Sequence, residues 1–140
     1  MKKKVLIVIA NYYDNISNNL GAGAQTTLDM AKIKYSIKEV PGIFEIPVVI
    51  SRNIKKYDAF IALGCVIKGE TPHFNYISKT TFEGLMKLSI ENKKPIGNGI
   101  ITALNQDQAR ARCGSYDVKV HIKNGKGEEA AKAVIAVLSK

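Results

Sequence analysis

The chain is poor in several residues that would advertise particular functions. Cys65 and Cys113 are its only cysteines. They form no CxxC pair and no zinc-ligand spacing, so they read as buried or half-buried free thiols. Only Arg52, Arg110 and Arg112 carry guanidinium groups, and only His73 and His121 carry imidazoles. Apolar runs are of strand length, far short of the ~20 residues of a membrane span. Met1 to Lys4 followed by Val5 to Ala10 faintly imitates a signal peptide. Asn11, Tyr12, Tyr13 and Asp14 follow without a small-residue cleavage site, which predicts a cytoplasmic chain that starts with a strand. No phosphate-binding P-loop sequence, internal repeat, linker or low-complexity stretch occurs.

What is present is a chain of 140 residues, 46% of them hydrophobic, enough for the core of one domain spanning 1–140. The net charge of +9 comes mostly from lysine. Apart from Lys2 to Lys4 the lysines are scattered along the sequence. That pattern predicts a solvated surface with some attraction for anionic substrates, and no nucleic-acid or membrane partner.

Strand-like and helix-like segments alternate. Strands are expected at Val5–Ala10, Tyr35–Val40, Ala59–Gly64 and Ile96–Ile101. Helices are expected at Ile16–Ala31 (capped near Asn15 or Ser17), Glu45–Ile54, Thr71–Asn92, Asn105–Arg112 and Gly127–Leu138. On the last helix Ala130, Ala131, Val134, Val137 and Leu138 are expected to face inward. The alternation predicts an α/β, three-layer sandwich around a four-stranded parallel sheet, flavodoxin-like in type. Ligands of such sheets sit at the carboxyl ends of the strands. Asn11–Asp14, Pro41–Glu45, Gly64–His73 and Thr102–Asn105 fall there.

Gly64 to His73 is the most informative stretch. It reads as a strand end, a turn through Gly64 and Gly69, and a helix start with Pro72 at its first position. Unpartnered N–H groups and the dipole at a helix start attract anions. His73, whose imidazole can donate or accept a proton, sits beside that cradle. An isolated histidine is more often a packing or capping residue; the surrounding turn favours a proton-transfer role. Arg112, Glu45 and Tyr12 are each ordinary singly, as a solvated charge, a helix-dipole partner and a half-exposed aromatic. Together at strand and helix ends they suggest one pocket.

Other motifs are weaker. Gly21-Ala22-Gly23 comes too late after the first strand, and lacks the third glycine, for a dinucleotide fingerprint; a close helix contact fits better. Glu70 and His73 have helical metal-ligand spacing without a second such pair, so no metal is expected. A phosphorelay receiver would need an acidic cluster after the first strand and an aspartate after the third; Asp14 stands alone, and Gly64-Cys65 occupies the other place.

Three ordered segments resemble the lumazine synthase family over almost the whole chain. They are Val40-Pro41-Gly42-Ile43-Phe44-Glu45-Ile46-Pro47; Gly64 to His73 continuing through Tyr76; and Gly99-Ile100-Ile101-Thr102 with Gln108, Ala109 and Arg112. The resemblance implies a cofactor-free condensation of a ribitylamino pyrimidinedione with 3,4-dihydroxy-2-butanone 4-phosphate. It places Tyr12 over the pyrimidine, and Ile43, Phe44 and Glu45 along the ribityl chain. Cys65, Val66 and Ile67 would hold the pyrimidine edge. Gly69, Glu70 and Thr71 would cradle the phosphate, with Arg112 of an adjacent subunit closing on it, and His73 would transfer the proton. Asn98 falls where some members offer a neighbour's aromatic, and Lys126 resembles a lysine ahead of the last helix.

The resemblance also implies a homo-oligomer with active sites between subunits. The long Gly114–Gly125 connection, with Ser115–Asn124 its least regular part, favours an isolated pentamer over larger shells. The alternative from a different class is a non-catalytic flavin- or lumazine-binding or cage-forming protein on the same scaffold. Retention of Tyr12, Glu45, His73 and Arg112 together favours catalysis.

Overall fold

The computed structural model describes residues 2–114 and 125–140. The expectation for Ser115–Asn124, and His121 with it, lies outside these residues.

Four strands, β1 (Lys4–Ala10), β2 (Lys34–Val40), β3 (Ala59–Ile67) and β4 (Ile96–Ala103), form one all-parallel sheet in the order β2-β1-β3-β4. The helices among the described residues are α1 (Asp14–Met30), α2 (Ile46–Arg52), α3 (His73–Asn92), α4 (Gln106–Cys113) and α5 (Lys126–Leu138). A short 3-10 turn, Ile43–Glu45, precedes α2. This is the flavodoxin-like α/β sandwich that the alternation of the sequence predicts.

The pleat explains the two cores. Val5, Ile7 and Ile9 face α1, α4 and α5, packing with Leu20, Ala24, Ile61, Ala109, Ala131 and Val134. Leu6, Val8 and Ala10 face the other way, toward Ile43, Ile46, Ile50 and Leu85 of the 3-10 turn, α2 and α3. A central strand buried on both faces must be apolar throughout. Hence β1 is buried from Val5 to Ala10, while the edge strand β2 is mostly open.

Close glycine contacts set the helix layer. A Cβ on Gly23 would stand 3.2 Å from the backbone nitrogen of Glu128, and one on Gly127 would collide with the Leu20 carbonyl. The Gly21–Gly23 segment is thus a helix contact, as its misplaced spacing suggests. A Cβ on Gly125 would lie 2.6 Å from the Cys113 carbonyl oxygen and 2.8 Å from Gly114 Cα, so the end of α4 touches the start of α5.

Several local expectations change. Gly64 does not turn: β3 runs on to Ile67, because Cys65 to Ile67 find ladder partners in Ile101 to Ala103. Neither Asn15 nor Ser17 caps α1, whose N-cap is Tyr13; the Ser17 hydroxyl instead donates to the Ala10 carbonyl at 2.6 Å. The stretch expected as one helix from Glu45 to Ile54 divides into the 3-10 turn and α2, with Pro47 in the first turn of α2. Val137 is 52% exposed and does not face inward. Asn105 caps α4 as expected, accepting from Gln108 N at 2.9 Å.

Candidate active site

The sheet order reverses between β1 and β3: β1 connects outward to β2, and β3 outward to β4. Connections leaving in opposite directions open a crevice at the carboxyl ends of those two strands. The pairing deepens it. The β1–β3 ladder ends at Ile9 and Leu63, so beyond Leu63 strand β3 is paired on the β4 side alone. The backbone of Cys65, Val66 and Ile67 therefore presents one free edge toward the crevice, with alternating donors and acceptors.

Tyr12 follows β1 and is 75% exposed, its ring edge-on to Tyr13 at 4.9 Å between centroids. Tyr13 packs against the core, and burial, followed by its neighbours Cys65 and Tyr12, pushes its phenol pKa up. Cys65 is itself buried. Burial first, then Cys113, pushes its thiol up to about 11, so it stays neutral at physiological pH and does not act as a thiolate nucleophile.

After β2, the break at Pro41-Gly42 leads into the 3-10 turn, closed by Glu45 N donating to Gly42 O at 3.2 Å. Ile43 is buried, and a Cβ on Gly64 would lie only 2.8 Å from its Cγ2. The missing side chain at Gly64 lets Ile43 seat on β3, which presents Phe44 outward, 58% exposed, beside Glu45. Phe44, Glu45, Pro47 and Val48 face Thr80, Thr81 and Gly84 of α3 across a cavity of about 460 Å³. The buried Thr81 hydroxyl has no hydrogen-bond partner among the described residues.

Gly69, Glu70 and Thr71 form an exposed bend ahead of α3, and a Cβ on Gly69 would meet nothing within 4 Å. Pro72 is the N-cap rather than the first helical residue, and it accepts from Asn75 N at 3.1 Å. His73 therefore opens the helix, exposed, with its backbone N–H toward Thr71 Oγ1 at 3.4 Å. Pro72 itself supplies no capping side chain, and of the first three helical N–H groups only that of Phe74 has no partner among the described residues, leaving it open to an anion.

Arg112 lies elsewhere. Its Nη1 donates to the Thr102 carbonyl at 3.0 Å, and with Lys126, Thr102 and Glu129 it lines a separate cavity of about 420 Å³. Lys126 is thus brought to Arg112, and Glu129 joins them unforeseen; only its place in the first turn of α5 could have signalled it. Asn98 is apart from both groups, in mid-β4 opposite Ala62, where its Oδ1 accepts from Ile100 N at 3.0 Å. Within one chain, then, Tyr12 follows β1, Phe44 and Glu45 follow β2 and line the cavity against α3, the Cys65–Ile67 edge ends β3, and His73 opens α3 after it. Arg112, Lys126 and Asn98 sit toward the β4 side.

This architecture defines a flavodoxin-like α/β protein with its crevice at the reversal point of a parallel sheet. More narrowly, the chain belongs to the 6,7-dimethyl-8-ribityllumazine synthase family, whose sequence model matches residues 2–140. It is 41% identical to the 6,7-dimethyl-8-ribityllumazine synthase of Afipia carboxidovorans, covering 96% of this chain and 83% of that one. It is 44% identical to the enzyme of the same name from Bartonella henselae, covering 99% and 88%. Among solved structures, the lactose-specific IIB component domain of a Streptococcus pneumoniae phosphotransferase system aligns over 99% of this chain and 97% of that one, at a TM-score of 0.34 and 14% identity.

Proposed function

We propose that the protein condenses 5-amino-6-(D-ribitylamino)uracil with 3,4-dihydroxy-2-butanone 4-phosphate to 6,7-dimethyl-8-ribityllumazine, releasing phosphate and water, as a transferase of riboflavin biosynthesis. Membership of the family over residues 2–140 carries this reading. The substrate amine is itself a nucleophile, so the protein needs no covalent nucleophile, and the neutral Cys65 thiol fits that chemistry. Most of the acceleration then comes from holding two reactants together.

In this reading the one-sided edge of Cys65, Val66 and Ile67 bonds the pyrimidine through the backbone while Tyr12 stacks on its face. Ile43 and Phe44 shape the ribityl channel, and Glu45 accepts ribityl hydroxyls. Gly69, Glu70 and Thr71 at the open start of α3 receive the phosphate. His73 exchanges protons with the condensing groups, a role worth ~10²–10⁴-fold. Arg112, whose planar fork suits phosphate, and Lys126 close on the phosphate, and Asn98 bonds the pyrimidine.

Arg112 and Lys126 line a cavity of their own, apart from the one that Phe44 and Glu45 line, and this separation supports a site completed by a second copy. We therefore favour a cytoplasmic homopentamer, active without metal or organic cofactor. Incubating the protein with both substrates and following the lumazine product by absorbance and fluorescence tests the reaction. Product should accumulate with stoichiometric phosphate; binding of the pyrimidine without turnover would refute the enzymatic reading.

A further inference from the structure

β4 is held to β3 as far as Ala103, which stands opposite Ile67 and whose carbonyl accepts from Lys68 N at 2.9 Å. α4 begins at Gln106, so Leu104 and Asn105 alone join the sheet to the helix that carries Arg112. That helix has little to fix it. It is 8 residues long, too short to persist by its own hydrogen bonds, and it buries only Ala109 and Cys113. These two side chains, one turn apart, define a single line of contact, about which the helix could still roll.

Its end contacts supply the remaining ties. Asn105 Oδ1 accepts from Gln108 N at 2.9 Å, and the Gln108 side chain reaches back, its Oε1 accepting from Leu104 N at 2.9 Å. The usual capping box returns to the N–H of the cap residue itself. Here the return bond falls one residue earlier, on the first residue beyond the sheet ladder, and so joins the helix to the end of the strand. Arg112 lies one turn past Gln108 on the same face of α4. Its Nη1 donates to the Thr102 carbonyl at 3.0 Å, so Gln108 and Arg112 grip the same short stretch of chain. Arg112 is otherwise exposed, and among the described residues it enters no ion pair. With Nη1 engaged, the edge formed by Nε and Nη2 has no partner among the described residues. That edge can give an oxyanion two parallel, charge-assisted bonds.

We propose that Gln108 is a positioning residue for Arg112: by fixing the roll of α4 against Leu104, it holds the guanidinium at the Thr102 carbonyl with its Nε–Nη2 edge ready for phosphate. Gln108 matters in this way only if Arg112 binds phosphate, as proposed. An exposed arginine samples many rotamers, and ordering it costs binding free energy. A guanidinium already held in place loses less, so the anion binds more tightly. Gln108 needs no contact with either substrate.

The test sets Gln108→Met, which keeps the length of the side chain and removes the acceptor, beside Arg112→Ala and Asn105→Ala. Gln108→Met should raise both the KM for the butanone phosphate and the calorimetric Kd for inorganic phosphate by about three- to fivefold. Turnover and the KM for the pyrimidine should stay within about twofold. In an Arg112→Ala background the same change should add nothing, because its effect passes through Arg112. Asn105→Ala removes the helix cap and leaves the Leu104–Gln108 bond; it should lower the thermal midpoint while moving the KM for the butanone phosphate less than about twofold. The proposal is overturned by an unchanged KM and Kd in Gln108→Met, by a full further rise in the Arg112→Ala background, or by an equal rise in Asn105→Ala. Each of these outcomes would leave Gln108 a helix cap alone. If Arg112→Ala changes neither KM nor Kd, the phosphate role of Arg112 falls and that of Gln108 with it. The Kd is read without turnover, so it decides for Gln108 even where no product forms.

Discussion

Arg112 is tied to Thr102: its Nη1 donates to that carbonyl at 3.0 Å, holding the guanidinium at the carboxyl end of β4. Arg110, on the same short helix, is turned to Gln106 and Asp107 in an exposed arrangement. Arg112→Ala should therefore raise the KM for the butanone phosphate by roughly tenfold or more, as expected for a lost charge-assisted contact. Arg110→Ala should change it less than about twofold, as exposed pairs do. Equal effects in steady-state kinetics would remove the phosphate role from Arg112.

His73→Ala should lower turnover ~10–1000-fold, because positioning of the two reactants survives loss of the proton-transfer group. Single-turnover measurements, which isolate chemistry from product release, should show the same loss. Unchanged chemistry would end the assignment. If His73 and Arg112 of one site come from different subunits, co-refolding the two impaired variants should raise activity above that of either alone. Random assortment gives roughly a quarter of the sites both native residues. A mixture no more active than its components would mean that one chain supplies both.

Gly127→Ala should destabilise the fold by about 1–3 kcal/mol, since the new methyl must push the rigid Leu20 backbone away. Gly69→Ala, with open space around it, is the control and should move the thermal midpoint little. Equal shifts would mean that α1 and α5 yield more easily than their contact implies.

Cys65 predicts an alkaline effect. Its pKa is raised in the fold to about 11, whereas an unfolded thiol ionises near about 8.5. The folded state thus holds the proton where the unfolded state has released it. The contribution is complete below the unfolded value and is lost as pH rises through this window. The midpoint of the parent protein should fall more steeply than that of Cys65→Ala between those limits; parallel curves would contradict the burial effect.

Much of the architecture is legible in the sequence because a sheet covered on both faces needs unbroken apolar strands, as in Val5–Ala10 and Ala59–Leu63. Asn105, a capping residue just before a polar helix, is equally plain. Gly64 misleads because glycine signals either a turn or a close approach, and only the position of Ile43 distinguishes them. β3 and β4 run past their expected ends because each satisfies the other, a pairing that no local window contains. The placing of Tyr12, Glu45 and His73 after the carboxyl ends of β1, β2 and β3 is legible, since parallel strands share that end. The placing of Arg112 and Lys126 in one cavity depends on how α4 and α5 meet, which spacing does not encode.

The contact of Gly125 with Cys113 and Gly114 gives the fold a natural port. The chain leaves α4 and re-enters at α5 through nearly the same point, while α5 is anchored independently by Gly23 and Gly127 against α1. Whatever joins the two ends has no span to bridge, and lengthening a closed loop costs only slowly growing entropy. Positions 115–124 are therefore a place where foreign sequence, such as a peptide epitope or a small folded module, can be spliced in without retuning the sheet. In a symmetric ring each copy would display it in the same orientation, making the assembly a scaffold of fixed valency.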